Sequence, residues 1–373
     1  MARKIKEIEV SNLGLKGHGM SKSEGHQFII RGHFPGDLVE VAYDDEISDW
    51  QEVEVLALKK SSADRVPSFC SYHPICQGCP WSELSYDRQC EEKISQVRHA
   101  FSRINRNDLA EQVQIIHRSP KLIGFRDRCQ IKYDGQHLGF VTSQKTVVDV
   151  HECKALNPKL QHLMTELRIS LPDVRFTPRE NHPWSFVDLD LGIESLDEIK
   201  PNKKRAFSQA MSGQNQVMHE WLSRRLKSIS PFKNAIELFA GGGNFTKVLL
   251  QNGPNVHALE FQVESLKALA QIDPHLKIEA LNLYHRKSLN KFWRQNLNYD
   301  LLVANPPQEG IHFARQWVEN TKVKNVFYIS CSLDSFISDA QQFMKAKLQL
   351  QNIELVDQFP HTPHIEILSH WSL

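Results

Sequence analysis

The sequence predicts an α/β protein whose C-terminal part contains a mostly parallel sheet. From about residue 205 onward, helical stretches alternate with short apolar runs, and the strand candidates are residues 235–239, 256–260, 301–304 and 326–329. This alternation is typical of a parallel sheet with helices on both faces. The chain of 373 residues is also too long for one typical core, so we expect two or three domains.

The N-terminal residues predict a different architecture. Short β-like runs at residues 8–10, 27–31 and 38–43 are separated by turn residues, among them Gly17-His18-Gly19 and Pro35-Gly36. Short strands with turns between them indicate a small β-barrel.

The segment from residue 61 to about residue 195 holds six of the seven cysteines, and its mixed periodicity does not define a fold. We therefore expect a β-barrel at 1–60, a central domain at 61–200 and the parallel sheet at 201–373.

Composition excludes several classes of protein. An apolar content of 40% and a charged content of 24% are typical of a globular chain and not of a disordered one. The first residues lack the apolar core of a signal peptide, and no run approaches 18 apolar residues. We expect a cytoplasmic protein with no membrane contact, no obligate protein partner, and thiols that are reduced, metal-bound or nucleophilic.

One segment is strongly basic, although the net charge of the chain is only +1. Residues 200–233 contain one acid, Glu220. They contain eight basic residues: Lys200, Lys203, Lys204, Arg205, Arg224, Arg225, Lys227 and Lys233. This pattern predicts either a local phosphate-binding surface or a solvated helix face, and charge alone does not separate the two.

Cys331 is a candidate nucleophile. It directly follows the apolar run Val326-Phe327-Tyr328-Ile329 and Ser330, far along the chain from the other cysteines. In an open α/β sheet, ligands bind at the carboxyl ends of the strands, which favours a chemical role for a thiol at that position. The alternative is a small buried hydrophobic residue, which is common for free cysteine.

A glycine-rich turn follows the first strand of the predicted sheet. The segment from Glu237 to Thr246 contains Gly241-Gly242-Gly243, and glycines there let the backbone approach a ligand at a helix N-terminus. The segment lacks a dinucleotide fingerprint and a P-loop lysine, so a nucleoside with an amino-acid tail fits better than a phosphate. Glu260 ends the next strand, where an acid commonly binds ribose hydroxyls.

The segment Asn305-Pro306-Pro307-Gln308 lies at the end of a further predicted strand, and its prolines predict a rigid loop. The alternative interpretation of this segment is a plain turn that ends the strand. Glu237, Glu260, Asn305 and Cys331 all fall at ends of successive predicted strands. We therefore expect these four residues to meet in one crevice at the sheet edge.

Three cysteines lie close together at Cys70, Cys76 and Cys79. Thiolates at this density predict a metal site, with Cys90, Cys129 or Cys153 as a fourth ligand. From spacing alone, an iron–sulfur cluster and zinc are about equally supported, and an unligated set of thiols is the weaker alternative.

The C-terminal segment from His361 to Glu366 looks at first like a metal site. Pro363 excludes the helical pairing of His361 and His364 that such a site would use, and Ile365-Glu366-Ile367 alternates like a strand. Glu366 is therefore expected on a final strand, either as a solvated edge carboxylate or close to Cys331.

Together these residues resemble the family of RNA 5-methyluridine methyltransferases that act on tRNA or 23S rRNA, especially the iron–sulfur members with an N-terminal TRAM domain. The likeness covers nearly the whole chain. Its most specific motifs are Tyr328-Ile329-Ser330-Cys331-Ser332, which matches the family's nucleophile motif, and residues 357–366, which match the motif of its general base. Phe207-Ser208-Gln209 and the segment 237–246 correspond to the family's cofactor-binding segments.

The resemblance implies a class I, Rossmann-like methyltransferase domain with an N-terminal TRAM β-barrel and a central α+β iron–sulfur domain. The implied cofactor is S-adenosylmethionine, held by Gln209, Phe239, Gly241, Glu260, Asn282 and Asn305. The implied ligands of an iron–sulfur cluster, of the 4Fe-4S type, are Cys70, Cys76, Cys79 and Cys153. The TRAM barrel and the basic segment at 200–233 would hold the RNA phosphates.

The implied reaction needs both a nucleophile and a base. C5 of uracil is a poor nucleophile, so the thiolate of Cys331 would first add to C6 and make an enolate at C5. After methyl transfer, Glu366 would remove the C5 proton so that the thiolate is expelled. The target uridine must leave its stack, which favours a single-stranded or loop substrate.

Two segments depart from the family pattern. Asn305-Pro306-Pro307-Gln308 replaces Asp-Pro-Pro-Arg, and Gln209-Ala210-Met211 replaces Gln-x-Asn, which removes a charge and a guanidinium donor. We expect a 23S rRNA uracil-C5 methyltransferase; the alternatives are the same chemistry on tRNA and a noncatalytic RNA-binding relative. Methylation of an amino group is disfavoured because Gln308 offers no aromatic ring for stacking.

Overall fold

The computed structural model of the protein describes residues 3–142, 144–205 and 209–373. Phe207 and Ser208, which belong to the predicted cofactor segment, lie outside the described residues. In the described part of the chain, the strands form four sheets, and no helix there is long and apolar enough to cross a membrane.

The N-terminal region is built from strands alone. They are β1 (Lys4–Glu9), β2 (Asn12–Leu13), β3 (Gly19–Ser23), β4 (His26–Ile30), β5 (Leu38–Tyr43), β6 (Trp50–Glu52) and β7 (Glu54–Lys60). They form two small sheets, in the orders β1-β5-β7 and β2-β3-β4-β6. Ile8 and Val41 of the first sheet and Phe28 of the second belong to one apolar cluster, so the two sheets enclose a common core.

The central region combines helices with a small sheet. Its elements are α1 (Tyr86–Arg103), α2 (Asn107–Ala110), β8 (Ile116–His117), β9 (Arg128–Tyr133), β10 (Leu138–Val141), β11 (Val147–Asp149), α3 (Pro158–Ser170) and β12 (Ser185–Asp190). Strands β9 to β12 form an antiparallel sheet in the order β11-β10-β9-β12. Leu160, Met164 and Leu167 make one face of α3 and share an apolar cluster with Ile131 and Val187 of this sheet.

The C-terminal region alternates strands with helices, as the sequence predicts. Its elements are α4 (Ser212–Ile229), β13 (Asn234–Leu238), α5 (Asn244–Gln251), β14 (Asn255–Glu260), α6 (Val263–Leu269), β15 (Lys277–Ala280), α7 (Arg286–Trp293), β16 (Leu301–Ala304), α8 (Ala314–Thr321), β17 (Asn325–Ser330), α9 (Leu333–Lys345), β18 (Gln349–Val356) and β19 (Glu366–Ser372).

The large sheet has the order β15-β14-β13-β16-β17-β19-β18-β8. Five neighbouring strands run parallel to one another: β15, β14, β13, β16 and β17. Strand β19 runs antiparallel to both of its neighbours. The outer strand β8 comes from the central region and pairs with β18. The C-terminal sheet is therefore completed by residues that precede residue 201.

The sheet is buried on both faces. Ile236 and Leu302 belong to the apolar cluster formed with α1, α7, α8 and α9, whereas their neighbours Ala235 and Val303 belong to the cluster formed with α4 and α5. Burial on two faces explains why these strands appear in the sequence as continuous apolar runs instead of alternating ones. It also leaves the strand ends as the place where polar side chains gather.

Candidate active site

The sheet order brings the predicted strand ends together. Strands β14, β13, β16 and β17 are neighbours and parallel, so their carboxyl ends meet at one edge. Glu260, Asn305 and Cys331 lie at that edge, Glu260 as the last residue of β14 and the others directly after β16 and β17. This edge is the crevice in which open α/β sheets bind ligands.

Glu237 does not share this position. It lies inside β13, it is only 2% exposed, and its carboxyl group accepts a hydrogen bond of 2.5 Å from the Thr246 hydroxyl on α5. Burial raises the pKa of Glu237 to about 8. The expectation that Glu237 faces the crevice is wrong, because the side chain joins β13 to α5 inside the core.

Cys331 and Glu366 lie next to each other. Ser330 pairs with Ile367 in the ladder between β17 and β19, so the adjoining positions are Cys331 and Glu366, the first residue of β19. Burial, followed by the nearby Glu366 carboxyl group, raises the pKa of the Cys331 thiol to about 12. The nucleophile and base candidates are thus close enough for the Glu366 carboxyl group to affect the pKa of the thiol.

Glu366 is a buried residue and not a solvated edge carboxylate. It is 5% exposed in a strand that lies between β17 and β18, and its Oε2 atom has no hydrogen-bond partner among the described residues. Burial raises the pKa of Glu366 to about 8. An unpartnered buried carboxyl oxygen is costly for a fold and is a mark of a functional site.

A cavity of about 760 Å³ opens onto Cys331, and we call it the Cys331 cavity. Three separate parts of the chain line it. They are N-terminal residues 15–18, 31 and 32, central residues 73, 74, 76–78, 80 and 126, and C-terminal residues 308, 331, 359 and 362–364. Its described lining includes Lys16, Arg31 and Arg126 and no carboxylate. Arg31 is ion-paired with Glu52, so Lys16 and Arg126 give the lining its positive charge, which favours an anionic ligand.

The glycine turn after β13 leaves open space beside the backbone. Gly241 has a positive φ of 57°, and no heavy atom lies within 4 Å of the position that a Cβ would take there. Its N–H group donates a hydrogen bond of 2.9 Å to Glu260, whose other carboxyl oxygen accepts from the N–H groups of Phe261 and Gln262. A ligand can therefore approach the Gly241 backbone beside a fixed carboxylate.

The other predicted cofactor residues lie near the same edge. Phe239 follows β13 with a positive φ of 58°, and its ring lies 5.4 Å from that of Tyr284. Asn282 follows β15 and accepts a hydrogen bond from the Tyr284 N–H group. Gln209 accepts a hydrogen bond of 3.1 Å from Gln358, just beyond the end of β18.

Met211, one of the departures from the family pattern, does not face the glycine turn. It is 4% exposed at the start of α4 and forms an apolar cluster with Phe125 and Ala155. Cys79 and Cys153 pack against this cluster. An apolar side chain therefore suits this position because it packs beside the cysteine residues of the central region.

Four of the predicted metal ligands line a second cavity of about 350 Å³, which we call the cysteine cavity; they are Cys70, Cys76, Cys79 and Cys153. Burial, followed by the neighbouring Cys153 and Cys76, raises the pKa of Cys79 to about 12. Across the described residues, no group of three or more His, Cys, Asp or Glu side chains is arranged to hold a metal ion. The chain brings the four thiols into one cavity without closing them around a common centre.

The two remaining cysteines are not in the lining of the cysteine cavity. Cys90 is buried in α1, and Cys129 is buried in β9 within the apolar cluster of the central sheet. Both are small hydrophobic core residues, which is a common role for a free cysteine.

The basic segment does not form one free surface. Arg224 and Arg225 are both ion-paired with Glu354, and Arg205 is ion-paired with Asp190. Lys200, Lys203 and Lys204 line a separate cavity together with acidic residues. The Lys and Arg residues that line the Cys331 cavity are Lys16, Arg31 and Arg126. They are far apart in the sequence, so no run of basic residues predicts them.

A buried hydrogen-bond network that carries no sequence motif supports the loop after β16. Asp339 of α9 accepts hydrogen bonds of 2.6 Å from the Tyr328 hydroxyl and 2.8 Å from the Ile311 N–H group. Burial raises the pKa of Asp339 to about 6. Asp339 thus connects β17, which precedes Cys331, to the loop that carries Asn305 and Gln308.

Comparison with known proteins identifies the family of the chain. A family model described as tRNA (uracil-5-)-methyltransferase matches residues 179–369, half of the chain. An uncharacterized RNA methyltransferase of Nitrosomonas europaea is 33% identical over 96% of this chain and 94% of its own length. The chain belongs to the tRNA (uracil-5-)-methyltransferase family.

More distant relatives cover the chain equally well. The 23S rRNA (uracil(1939)-C(5))-methyltransferase RlmD of Francisella tularensis is 23% identical over 98% of this chain and 96% of its own length. The solved Pyrococcus abyssi tRNA (uracil-54, C5)-methyltransferase, in complex with S-adenosyl-L-homocysteine, has a TM-score of 0.69 and 16% identity. That match covers 98% of this chain and all of the other, so this member of the tRNA (uracil-5-)-methyltransferase family has the α/β methyltransferase fold.

Proposed function

We propose that the protein transfers a methyl group from S-adenosylmethionine to C5 of a uridine in RNA, with Cys331 as nucleophile and Glu366 as base. The observation that carries the proposal is that Cys331, which lines the Cys331 cavity, lies beside the buried carboxyl group of Glu366. A thiol and a buried carboxyl group are the two groups that substitution at C5 of uracil requires.

Cys331 acts first. After its thiol loses its proton to water, Sγ forms a bond to C6 of uracil, and the electrons of the C5–C6 double bond move toward C5 and O4. S-adenosylmethionine supplies an electrophilic methyl group that C5 takes up. The Cys331–C6 bond then holds a methylated base that still carries its C5 proton.

Glu366 completes the reaction. Its carboxylate removes the C5 proton, the C5–C6 double bond re-forms, and Sγ leaves with the electrons of its bond to C6. A base with a pKa of about 8 is stronger than an ordinary carboxylate. Burial thus favours proton removal, at the cost of a smaller ionised fraction near neutral pH.

The cofactor would bind at the edge formed by the glycine turn and Glu260. The open space beside Gly241 admits the backbone approach of a ligand, and Glu260 is placed to accept hydrogen bonds from ribose hydroxyls. The other proposed contacts are Gln209, Phe239, Asn282 and Asn305. The amide of Asn305, where the family has a carboxylate, keeps hydrogen bonding without a charge.

The RNA would continue from the Cys331 cavity into a groove of about 1030 Å³ between the N-terminal strands and α1. The two share Lys16 and His18 in their linings, so the path is continuous. Lys22 and Arg103 add positive charge, and the half-exposed ring of Trp50 offers a surface for stacking an unpaired base.

23S rRNA is the proposed substrate, because relatives of 23% and 24% identity that cover 98% of the chain are named 23S rRNA methyltransferases, whereas the P. abyssi enzyme is 16% identical. tRNA is the second candidate, since the family description and the P. abyssi structure both name it. A noncatalytic RNA-binding relative is less well supported, because both Cys331 and Glu366 are present and adjacent.

The cysteine cavity is proposed to hold an iron–sulfur cluster. Four thiols lining one cavity match the four thiolates that such a cluster needs, and its ligands would be Cys70, Cys76, Cys79 and Cys153. A bound cluster would cross-link residues 70–79 to residue 153 within the central region. We also propose the division into a TRAM-like barrel at 1–60, a central domain at 61–200 and a methyltransferase domain at 201–373.

Release of tritium from 5-tritiated uridine tests the function. Wild-type protein with S-adenosylmethionine should release tritium from 23S rRNA of a strain that lacks the gene, because the C5 proton leaves only after methylation. Mass spectrometry of the 23S rRNA and tRNA pools from that strain then identifies the substrate, since only the true target loses its methyl group. Absence of tritium release from both pools would refute the proposal.

A further inference from the structure

The loop between β18 and β19 leads directly into Glu366, and we call residues 357–365 the base loop. It also lines the Cys331 cavity with Phe359, Thr362, Pro363 and His364. A loop that both shapes the substrate cavity and places the base must keep a fixed position, because proton removal tolerates only small displacements.

Lys93 of α1 holds the beginning of the base loop. Its ammonium group lies 2.6 Å from an oxygen of Asp357, both side chains are fully buried, and it also donates a hydrogen bond of 3.0 Å to the Phe359 carbonyl. The Tyr86 hydroxyl, on the same face of α1 as Lys93, donates a hydrogen bond of 2.8 Å to the other oxygen of Asp357. Three bonds from α1 therefore fix residues 357–359.

Gln89 of α1 holds the middle of the base loop. Its side-chain oxygen accepts a hydrogen bond of 2.7 Å from the His361 N–H group, and its amide group donates to the carbonyls of Trp81 and Leu84. His361 has a positive φ of 63°, an uncommon conformation for a residue with a side chain. The Gln89 bond therefore stabilises a turn that the backbone alone disfavours.

The spacing of these residues on α1 explains how one helix reaches the whole loop. Tyr86, Gln89 and Lys93 are three and four residues apart, so they lie on one helical face. Helix α1 precedes the stretch that the family model matches, residues 179–369. The support of the base loop thus comes from a part of the chain outside that stretch.

We propose that Gln89 and Lys93 are positioning residues that hold Glu366 in line with the C5 proton of the methylated uridine. The inference rests on the proposed function. Neither residue lines the Cys331 cavity, so neither contacts the uridine, and their loss acts only through the base loop. It slows the last step, in which the C5–H bond and the Cys331–C6 bond break, and the covalent protein–RNA intermediate accumulates.

The test follows this intermediate with ordinary uridine RNA on denaturing gels. Wild type should show little adduct because elimination is fast. Gln89→Leu should show a persistent adduct with methylated RNA, and its product release should fall roughly ten- to a hundredfold, the scale expected for a misplaced reacting group. RNA affinity should stay within about twofold of wild type. Glu366→Gln is the positive control for a blocked elimination.

Arg98→Met is the matched control on α1. Arg98 bonds to the Val113 carbonyl and not to the base loop, so its loss should not produce an adduct. The pair Lys93→Met with Asp357→Leu removes both buried charges and avoids leaving one of them unpaired. This double variant should fold more stably than Lys93→Met alone and still accumulate adduct, since the Phe359 carbonyl loses its donor and the Tyr86 hydroxyl loses its acceptor.

Two outcomes overturn the inference. If Gln89→Leu releases product as fast as wild type, or loses activity only in proportion to its unfolded fraction, α1 has a structural role alone. If the double variant regains both stability and fast elimination, the same conclusion follows. A test of wild type with 5-fluorouridine RNA separates failure of this inference from failure of the proposed function. If wild type forms no adduct with that RNA, Cys331 does not attack uracil and the proposed function itself fails.

Discussion

Burial holds both Cys331 and Glu366 in their uncharged forms, and the Glu366 carboxyl group adds to this effect on the thiol. The pKa of the thiol is about 12 and that of the carboxyl group is about 8, both above their ordinary values. Below neutral pH the free protein therefore has neither a strong nucleophile nor an ionised base. The proposed reaction requires that both groups lose their protons.

The rate should therefore rise with pH. Single-turnover methyl transfer and elimination should increase through about pH 8, the pKa of Glu366, instead of levelling off near pH 5 as for an ordinary carboxylate. The measurement is the tritium-release rate between pH 5.5 and pH 9.5. A profile that is flat across this range would show that proton removal by Glu366 does not limit the reaction.

At the scale of secondary-structure elements, Asp339 connects α9 to the loop after β16. Asp339→Ala should leave the Ile311 N–H group without its acceptor and free the loop that carries Asn305 and Gln308. We expect a loss of about 1–3 kcal/mol in the free energy of unfolding, measured with urea, and weaker cofactor binding. Tyr328→Phe is the milder control, because it removes only the hydroxyl donor.

A result in which Asp339→Ala binds S-adenosylmethionine as tightly as wild type would contradict this role. Loss of stability alone would place Asp339 among ordinary core residues.

The parallel strands could be predicted because burial on both faces leaves a clear apolar run. The predicted strands at residues 256–260, 301–304 and 326–329 correspond to β14, β16 and β17, and the strand at 235–239 ends one residue early, at Leu238. Strand β8 could not be predicted, because its two residues pair only through the distant β18. Such pairing depends on tertiary contacts that sequence periodicity does not contain.

The site was predictable where motifs mark it and not elsewhere. Cys331 and Glu366 came from short motifs, and the sheet places them side by side. Lys16, Arg31 and Arg126 carry no motif and reach the cavity from three separate loops. Glu237 was misplaced because a strand-end position in the sequence does not say which face the side chain takes.

At the scale of the whole molecule, buried carboxyl groups should make stability depend on pH. Glu237 and Glu366 each have a folded pKa of about 8, so between pH 6.5 and pH 8.5 the unfolded chain binds fewer protons than the folded protein. Stability should therefore fall over that range, by an amount on the order of a few kcal/mol. Urea unfolding at each pH measures it, and Glu366→Gln should show a smaller fall.

His257 and His370 act with the opposite sign at lower pH. Burial lowers the pKa of each to about 4, so their contribution rises with pH until about pH 6.5 and is constant above it. A wild-type stability that stays constant or rises between pH 6.5 and pH 8.5 would contradict the account of the buried carboxyl groups.

The four cysteines of the cysteine cavity should colour the protein. Anaerobically purified wild type should be brown with visible absorption, and Cys76→Ala should bleach it, because a cluster needs four thiolates. Cys129→Ala is the matched control, since that thiol lies in the core beyond the cavity lining. Colourless preparations that contain zinc, both with and without air, would refute the iron–sulfur proposal.

The central claim is that Cys331 attacks C6 of a uridine in RNA. The most direct measurement is covalent trapping with 5-fluorouridine RNA in the presence of S-adenosylmethionine, since fluorine at C5 cannot leave as a proton. We predict an adduct of wild type that is stable on a denaturing gel, that maps to Cys331 by peptide mass spectrometry and that is lost in Cys331→Ala. An adduct that persists in Cys331→Ala, or no adduct with wild type, would contradict the claim.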